Sequence, residues 1–352
     1  MTDPRPLVTV VTPAFNEEAL LDKNLRLLAT HLDGLSDRFR WEMVVVNDGS
    51  KDRTGAIADA FAAERPEHVR VVHHPVNLNL GQGIRTGIAH ARGEYLVVLD
   101  VDLSYAPDHI ERLVDTLVAT RADIVVASPY MPGGKCTGVP FLRLFLSKRA
   151  NRFLAFFCHH VDLHTITGMV RGYRTAFVRK LSLKSNDIEI NTEIIYKSML
   201  LRGRVLEIPA HLDWSVFQSQ GIRRMSSFRV AKGILTYILS GFYFRPFIFF
   251  VMPGLTSLVI ALYLMGWIGL HTADAFAAAK PGPYFDDQLS NAIGLVWQQR
   301  PHAFFVCGLA LMTALQLISL GFMSFQQKRY FEDLFFLGSD ARNGAGGPER
   351  GA

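Results

Sequence analysis

Two stretches without a charged residue constrain this chain more than anything else in it: PFIFFVMPGLTSLVIALYLMGWIGL at 246–270 and AFFVCGLALMTALQLISLGFMSF at 303–325. Each exceeds the roughly 20 apolar residues that a helix needs to cross a hydrocarbon core. Lipid offers no partner for exposed peptide groups, so two such runs joined by a loop predict a transmembrane helical hairpin over 245–326. Pro253 and Gly254 predict a kink in its first helix. A helical hairpin buried in a soluble core is the bland alternative, and paired uncharged runs of this length are rare in such cores. Arg223, Arg224, Arg229, Lys232 and Arg245 precede the first run, and Lys328 and Arg329 follow the second, whereas 271–302 holds only Lys280 and Arg300. Positive-inside counting then places both termini, including a tail at 327–352, in the cytoplasm of a multi-pass protein of the cytoplasmic membrane. The segment RRMSSFRVAKGILTYILSGFYF (223–244) has the basic, half-apolar make-up of a helix lying along the interface.

The first 222 residues read differently. Short apolar runs alternate with helical patterns: LVTVVTP (7–13), a helix around Leu20–Leu28, WEMVVVND (41–48), a helix from Thr54, VRVVHH, a Gly-punctuated helix GQGIRTGIAHA, EYLVVLD, a helix after Pro107, and ADIVVAS (122–128). Strand and helix in strict turn predict an α/β domain, a mostly parallel sheet with helices on both faces. Ligands of such sheets bind beyond the carboxyl ends of the strands. Polar residues gather there: Asn16 and Glu17, Asn47 and Asp48, then Asp100 and Asp102.

A net charge of +5, from 37 basic and 32 acidic residues, is too mild for a nucleic-acid partner without a concentrated basic patch. Cys136, Cys158 and Cys307 fit no metal or redox spacing, which predicts free thiols in a reducing compartment. MTDPRPLVTVVTPAFNEE lacks an apolar core behind a basic start, so no signal peptide is expected. The catalytic part is therefore expected in the cytoplasm.

The run VVLDVDLSYAP (97–107) ends an apolar strand with two acids. Residues i and i+2 of a strand share a face, so both carboxylates would point the same way from its tip. Asp-x-Asp alone also solvates turns. Following PAFNEE and NDGSKDRT to the same sheet edge, the pair predicts a divalent ion, Mg2+ or Mn2+, that holds a diphosphate opposite Asp100 and Asp102.

Taken in order, VTPAFNEE, VVNDGSKDRT, NLNLGQGIRTG and LDVDLSYAP resemble the successive motifs of inverting family 2 glycosyltransferases with the GT-A, Rossmann-like fold. More narrowly, the chain resembles the polyprenyl-phosphate glycosyltransferases, the group of dolichyl-phosphate mannose synthase, over about residues 7–232. The resemblance implies transfer of a sugar from a GDP- or UDP-linked donor to a polyprenyl phosphate, either undecaprenyl or dolichyl. It gives Pro13, Phe15 and Glu17 to the base and ribose, with Phe15 where the family more often has Tyr. It makes Asp48 a base-contacting acid and Asp100 and Asp102 the metal pair, with Ser104 as a third, polar ligand. For the Gly-rich loop, counting back from Gly87 favours Asn77, whereas the local Asn-x-Gly pattern favours Asn79. Arg223 and Arg224 fall in the loop that brings positive charge to the donor diphosphate, a role that competes with attraction to anionic headgroups.

FLRLFLSKRANRFLAFF (141–157) reads as an amphipathic helix with Arg143, Ser147 and Asn151 at i, i+4 and i+8. The resemblance implies that this face meets the lipid phosphate, and a guanidinium suits it by offering paired donors in one plane. Where the family commonly reads Gly-Ser-Arg-Tyr, this chain has Ala127, Ser128, Pro129 and Tyr130, so a phosphate-binding arginine is missing. Lys135, Lys148 and Arg149 are the candidates to replace it. ITGMVRGYRTAFV (166–178) and NTEIIYK (191–197) match later family motifs, and Glu193 either serves the sugar site or makes a structural ion pair. An ionised lipid phosphate attacks without a general base, so Asp102, Arg143 and Ser147 carry the expected catalysis. Rival readings are a processive polysaccharide synthase, whose Gln-x-x-Arg-Trp is met here by Gln220, Arg223 and Arg224, and a non-catalytic nucleotide-binding adaptor. The expected partners are the nucleotide sugar, the lipid phosphate and the membrane, and the reading leaves room for a homo-oligomer.

Overall fold

The computed structural model describes residues 3–157, 163–215, 246–284 and 286–345, side chains excepted at 156–157 and 339–345. The chain divides into two compact units, one from Met1–Phe244 with Ser339–Ala352, the other Arg245–Gly338.

The first unit opens with β1 (Leu7–Ala14), α1 (Leu21–Asp33), β2 (Arg40–Asn47), α2 (Thr54–Glu64), β3 (Val69–His73), α3 (Asn79–His90), β4 (Tyr95–Val98), α4 (His109–Thr120) and β5 (Ile124–Ser128). It continues through β6 (Lys135–Thr137), α5 (Phe141–Phe157), β7 (Arg171–Arg174), α6 (Thr175–Lys180), α7 (Ile190–Leu200), β8 (Val205–Pro209) and β9 (His211–Asp213). Seven strands form one sheet in the order β3-β2-β1-β4-β7-β5-β8, and β6 pairs with β9. The expected mostly parallel sheet is present. One strand departs from it, because β7 inserts antiparallel between β4 and β5.

Strands buried on both faces read as continuous apolar runs, which explains why β1, β2 and β4 stand out in the sequence. Val8 and Val10 pack in a core with Leu21, Leu25, Leu28 and Leu32 of α1 and with Ile110, Leu113 and Leu117 of α4. Val11 points the other way, where α3 lies so close that a Cβ on Gly87 would sit 2.1 Å from Val11 Cγ1. In register, Ala14 pairs with Asn47 and Val11 with Val98. The carboxyl ends of β1, β2 and β4 therefore end together, and β1 is where the chain order of the sheet reverses.

The second unit contains α8 (Pro246–Phe276), α9 (Asp287–Gln299) and α10 (Pro301–Ala345) as far as Gly338. Both α8 and residues Pro301–Gly338 of α10 are long and apolar enough to cross a membrane, and only 11% and 17% of their most apolar windows are buried within the protein. They run antiparallel. Phe247 meets Phe325 edge-on at 5.9 Å, a Cβ on Gly254 would touch Ile318, one on Gly321 would meet Val251, and Cys307 Sγ donates to the Ala261 carbonyl at 3.5 Å. Small residues at such crossings let helix backbones approach. α8 runs as one helix through Pro253, the connection includes α9, and α10 continues past Phe325.

Candidate functional site

The first loop of the site follows β1, where Asn16 takes a positive φ of 54°. Its backbone is stapled to the loop after β2. Asn16 N–H donates to Ser50 Oγ (3.0 Å), Lys51 N–H to Asn16 Oδ1 (2.9 Å), Glu17 N–H to Thr54 Oγ1 (2.8 Å) and Arg53 N–H to Glu18 Oε2 (2.9 Å). Polar side chains here substitute for ladder partners that end with the strands. The sequence reading assigned none of Asn16, Glu18 or Ser50 this work.

At the end of β2 the two polar residues divide the labour. Asn47 Oδ1 accepts Ser50 N–H at 3.2 Å and its amide meets His73 Nδ1 at 3.0 Å, so Asn47 holds the turn. Asp48 is 4% exposed. Its Oδ1 lies 2.7 Å from His74 Nδ1 and accepts Leu78 N–H at 2.9 Å. Gly49 makes this closeness possible: its φ is +64°, and a Cβ there would lie 2.2 Å from the Val76 carbonyl carbon.

The third loop corrects an expectation. β4 ends at Val98, so Asp100 and Asp102 stand on a turn and not on a pleat. Leu103 N–H closes that turn on the Asp100 carbonyl at 3.1 Å, with Leu103 at φ 52°. Ser104 N–H donates to Asp102 Oδ1 at 2.8 Å, and Asn24 Nδ2 holds the Val101 carbonyl at 2.9 Å. The turn, not strand alternation, brings both acids to one wall. Tyr105 is buried beneath them. Burial first, then nearby Tyr130 and Asp100, push its phenol far above the ordinary range and keep it protonated.

These loops enclose a cavity of about 510 Å³ at the carboxyl edge of the sheet. Pro13, Phe15 and Glu17 line it from β1, Asp48 from β2, Asn77, Asn79 and Gly83 from the Gly-rich segment, and Asp100, Val101 and Asp102 from the turn. Phe15 is 41% exposed, an aromatic face open at the mouth. Asn77 and Asn79 both line the wall. Ser104 is buried and does not line it.

The helix read at 141–157 is α5. Arg143 lies with its guanidinium 4.0 Å over the Trp214 ring, Tyr130 OH donates to Ser147 Oγ at 2.8 Å, and Lys148 Nζ stands 6.0 Å over Tyr130. Burial raises the Tyr130 phenol's pKa, and the Ser147 contact offsets part of that. Asn151 differs from its expectation as a phosphate-facing residue. It is 1% exposed, its Oδ1 accepts Ile166 and Thr167 N–H at 2.7 and 3.0 Å, and its Nδ2 donates to the Ser147 carbonyl and to Thr167 Oγ1. A buried amide satisfied in this way ties α5 to the segment before β7. Glu193 pairs with Lys197 at 2.5 Å and accepts Lys184 and Ser185 N–H. Arg223, Arg224, Arg229 and the expected interfacial helix at 223–244 lie outside the described residues.

Residues 9–182 match the Glycosyl transferase family 2 profile. A polyprenol monophosphomannose synthase of Mycolicibacterium smegmatis is 32% identical over 58% of this chain and 77% of its own length. A dolichyl-phosphate beta-glucosyltransferase of Trichomonas vaginalis is 35% identical over 62% and 71%. A dolichol-phosphate mannosyltransferase of Pyrococcus furiosus is 33% identical over 57% and 55%, so this chain spans about half of that relative. Among solved structures, glucosyl-3-phosphoglycerate synthase from Mycobacterium tuberculosis in complex with uridine-diphosphate superposes with a TM-score of 0.51 at 18% identity, covering 68% of this chain and 79% of that one. That likeness is one of fold. With the ordered motifs now gathered around one cavity and relatives of this similarity, the chain belongs to glycosyl transferase family 2 and is a glycosyltransferase.

Proposed function

We propose that this enzyme transfers a sugar from a nucleotide sugar to a polyprenyl phosphate, with inversion, at the cytoplasmic face of a membrane. The observation that carries the reading is the cavity in which a buried acid, Asp48, after β2 and a paired-acid turn, Asp100 and Asp102, after β4 stand on either side of the carboxyl end of β1. That spacing suits a nucleoside at one end and a diphosphate at the other. The relatives, a polyprenol monophosphomannose synthase and a dolichyl-phosphate beta-glucosyltransferase, support the lipid acceptor.

The two carboxylates make a hard, oxygen-only donor set that fits Mg2+ or Mn2+. No group of three acids, histidines or cysteines gathers for a metal among the described residues. An ion here would take its remaining ligands from the diphosphate and water, as suits one that enters with the donor. When bound, it would offset negative charge on the departing diphosphate.

The chain's own residues supply the rest. Pro13, Phe15, Glu17 and Asp48 hold the nucleoside; Arg223 and Arg224 bring positive charge to the diphosphate. Arg143, Ser147 and Lys148 hold the acceptor phosphate, and Asn151 positions the helix that carries them. The Arg143 guanidinium, 4.0 Å over the Trp214 ring, carries paired donors in one plane that suit a phosphate. A phosphate oxygen, already ionised, forms its bond to the anomeric carbon as the bond to the diphosphate oxygen breaks. The electron pair leaves with the nucleoside diphosphate, and no proton moves. The basic segment 223–244 and the helices α8 and α10 keep the cavity at the leaflet that presents the lipid headgroup.

The test is incubation of membranes containing the full chain with a panel of labelled GDP- and UDP-sugars and undecaprenyl or dolichyl phosphate. Metal-dependent, butanol-extractable label is expected from one donor. Label in no lipid fraction from any donor overturns the proposal.

A further inference from the structure

We propose that His74, which no motif singles out, is the positioning residue for donor-base recognition. It fixes the Asp48 carboxylate so that one oxygen belongs to the protein and the other to the base. The inference rests on the reading of the cavity as a nucleotide-sugar site and deepens it.

His74 follows β3 directly, and its backbone N–H donates to the Asn47 carbonyl at 2.9 Å, which sets its side chain beside Asp48. The imidazole is buried, with 8% of its side chain exposed. A carboxylate only accepts, so the 2.7 Å contact requires the hydrogen on Nδ1. Nε2 lies 2.9 Å from the Thr86 hydroxyl, which can donate to it or accept from it, and Thr86 Oγ1 accepts from Gln82 Nε2 at 3.3 Å. In either case Nδ1–H stays committed to Asp48. The line runs from α3 across the end of β3 to the cavity wall.

Both hydrogen bonds to Asp48 from the described residues, those of His74 and Leu78, fall on Oδ1. Oδ2 is therefore the acceptor turned to a ligand. Uracil and guanine carry a ring N–H that such an oxygen accepts, whereas the corresponding ring nitrogens of cytosine and adenine carry none. Without His74 the carboxylate would keep one tether, Leu78 N–H, and could rotate off that edge. The expected loss falls on the base and spares the diphosphate end, where Asp100 and Asp102 stand.

GDP, UDP and inorganic diphosphate, each with Mg2+, are titrated onto the full chain in detergent micelles as the unaltered protein, His74→Leu, His74→Asn and Thr86→Val. Asn places an N–H donor close to where Nδ1–H stood. The nucleotide that the unaltered chain binds should bind His74→Leu about 10-fold more weakly, as loss of a hydrogen bond to a charged group implies. His74→Asn should recover to within about 3-fold, Thr86→Val should fall between, and diphosphate should bind all four alike. In turnover, His74→Leu should raise the donor KM with kcat nearly unchanged. Equal nucleotide binding by His74→Leu, or loss of diphosphate binding alongside it, overturns the inference, as does a His74→Asn no better than Leu. Should His74→Leu fail to fold, His74→Asn and Thr86→Val carry the same comparison. If the unaltered chain binds neither nucleotide, the cavity is not a nucleotide site and both readings fall. If it transfers sugar to lipid phosphate while His74→Leu keeps its KM, this inference alone fails.

Discussion

Asp102 accepts a hydrogen bond from its own turn, Ser104 N–H onto Oδ1, and an amide oxygen can accept the same bond. Asp102→Asn therefore keeps the turn and removes the charge. Transfer should fall by about 100-fold or more, a loss near 3 kcal/mol in the transition state, while the thermal unfolding midpoint stays within a few degrees. Labelled lipid product and a melting curve on the same preparation check both halves. Glu193 invites a pH experiment. Burial opposes its charge, but the Lys197 contact and Ser185 N–H outweigh that and hold the carboxyl below its usual 4.5. A folded value below the unfolded one contributes stability that is present above pH 4.5 and lost as pH falls through the folded value. Glu193→Gln should cost about 1–3 kcal/mol at neutral pH, and the gap to the unaltered chain should begin to narrow below about pH 4.5 and vanish only once pH has fallen through the folded value. Unfolding midpoints of both proteins at about pH 7 and at a series of lower pH values, carried down until the carboxyl is protonated in the folded chain, measure it. A gap that persists at low pH would mean that Glu193 acts through packing and not through its charge.

One buried side chain, Asn151, ties helix α5 to the segment before β7. Asn151→Ala would leave Ile166 and Thr167 N–H without their acceptor in a buried place, at about 1–3 kcal/mol each. The expected outcome is a raised KM for lipid phosphate with nucleotide binding unchanged, because the donor cavity draws no wall from α5. The same helix shows what a sequence can and cannot display. Its start at 141 and its helical course through the described residues to 157 follow from periodicity and agree with the structure, and so does the strand alternation from β1 to β5, because local pattern fixes both. Which face of α5 is covered depends on a segment that arrives only after the helix, and that is why Asn151 reads as a ligand and turns out to be a tie. The antiparallel insertion of β7 was equally hidden, since RGYR has no local sign of its neighbours. His74 is the extreme case: its partners come from β2 and α3, and nothing in VRVVHH marks it. The acids were legible as a pair, but their shared direction came from a turn with Leu103 at positive φ, not from a strand. Gly87 offers a test of the element packing itself. Gly87→Ala would force a methyl to within 2.1 Å of Val11 Cγ1, and overpacking of that kind typically costs about 1–3 kcal/mol. Lowered thermal stability together with weakened nucleotide binding is expected, since α3 carries Gly83 of the cavity wall.

At the scale of the whole molecule, two units that treat apolar surface differently share one chain. The first buries its apolar strands under helices; the second leaves Tyr263, Leu309 and Phe322 well exposed on helices that pack on each other through Gly254, Ala261 and Gly321. Water disfavours such a surface and lipid does not. If α8 and α10 each cross the bilayer, the connection at 277–300 would lie on the other side from their outer flanks, and the weight of Lys and Arg around the spans predicts that those flanks face the cytoplasm. Cysteine scanning separates this from a hairpin that dips into one leaflet and returns. In a background lacking Cys136, Cys158 and Cys307, a cysteine at Lys280 should react with a membrane-impermeant maleimide on intact cells. One at Lys51, on the loop stapled to Asn16, should react only after permeabilisation. A re-entrant or purely interfacial hairpin would protect both sites on intact cells and expose both afterwards. A spanning hairpin gives opposite responses. Protection of the Lys51 site on intact cells is expected of both hairpins and is the result that would put the paired acids on the cytoplasmic side; labelling of that site on intact cells would overturn the orientation.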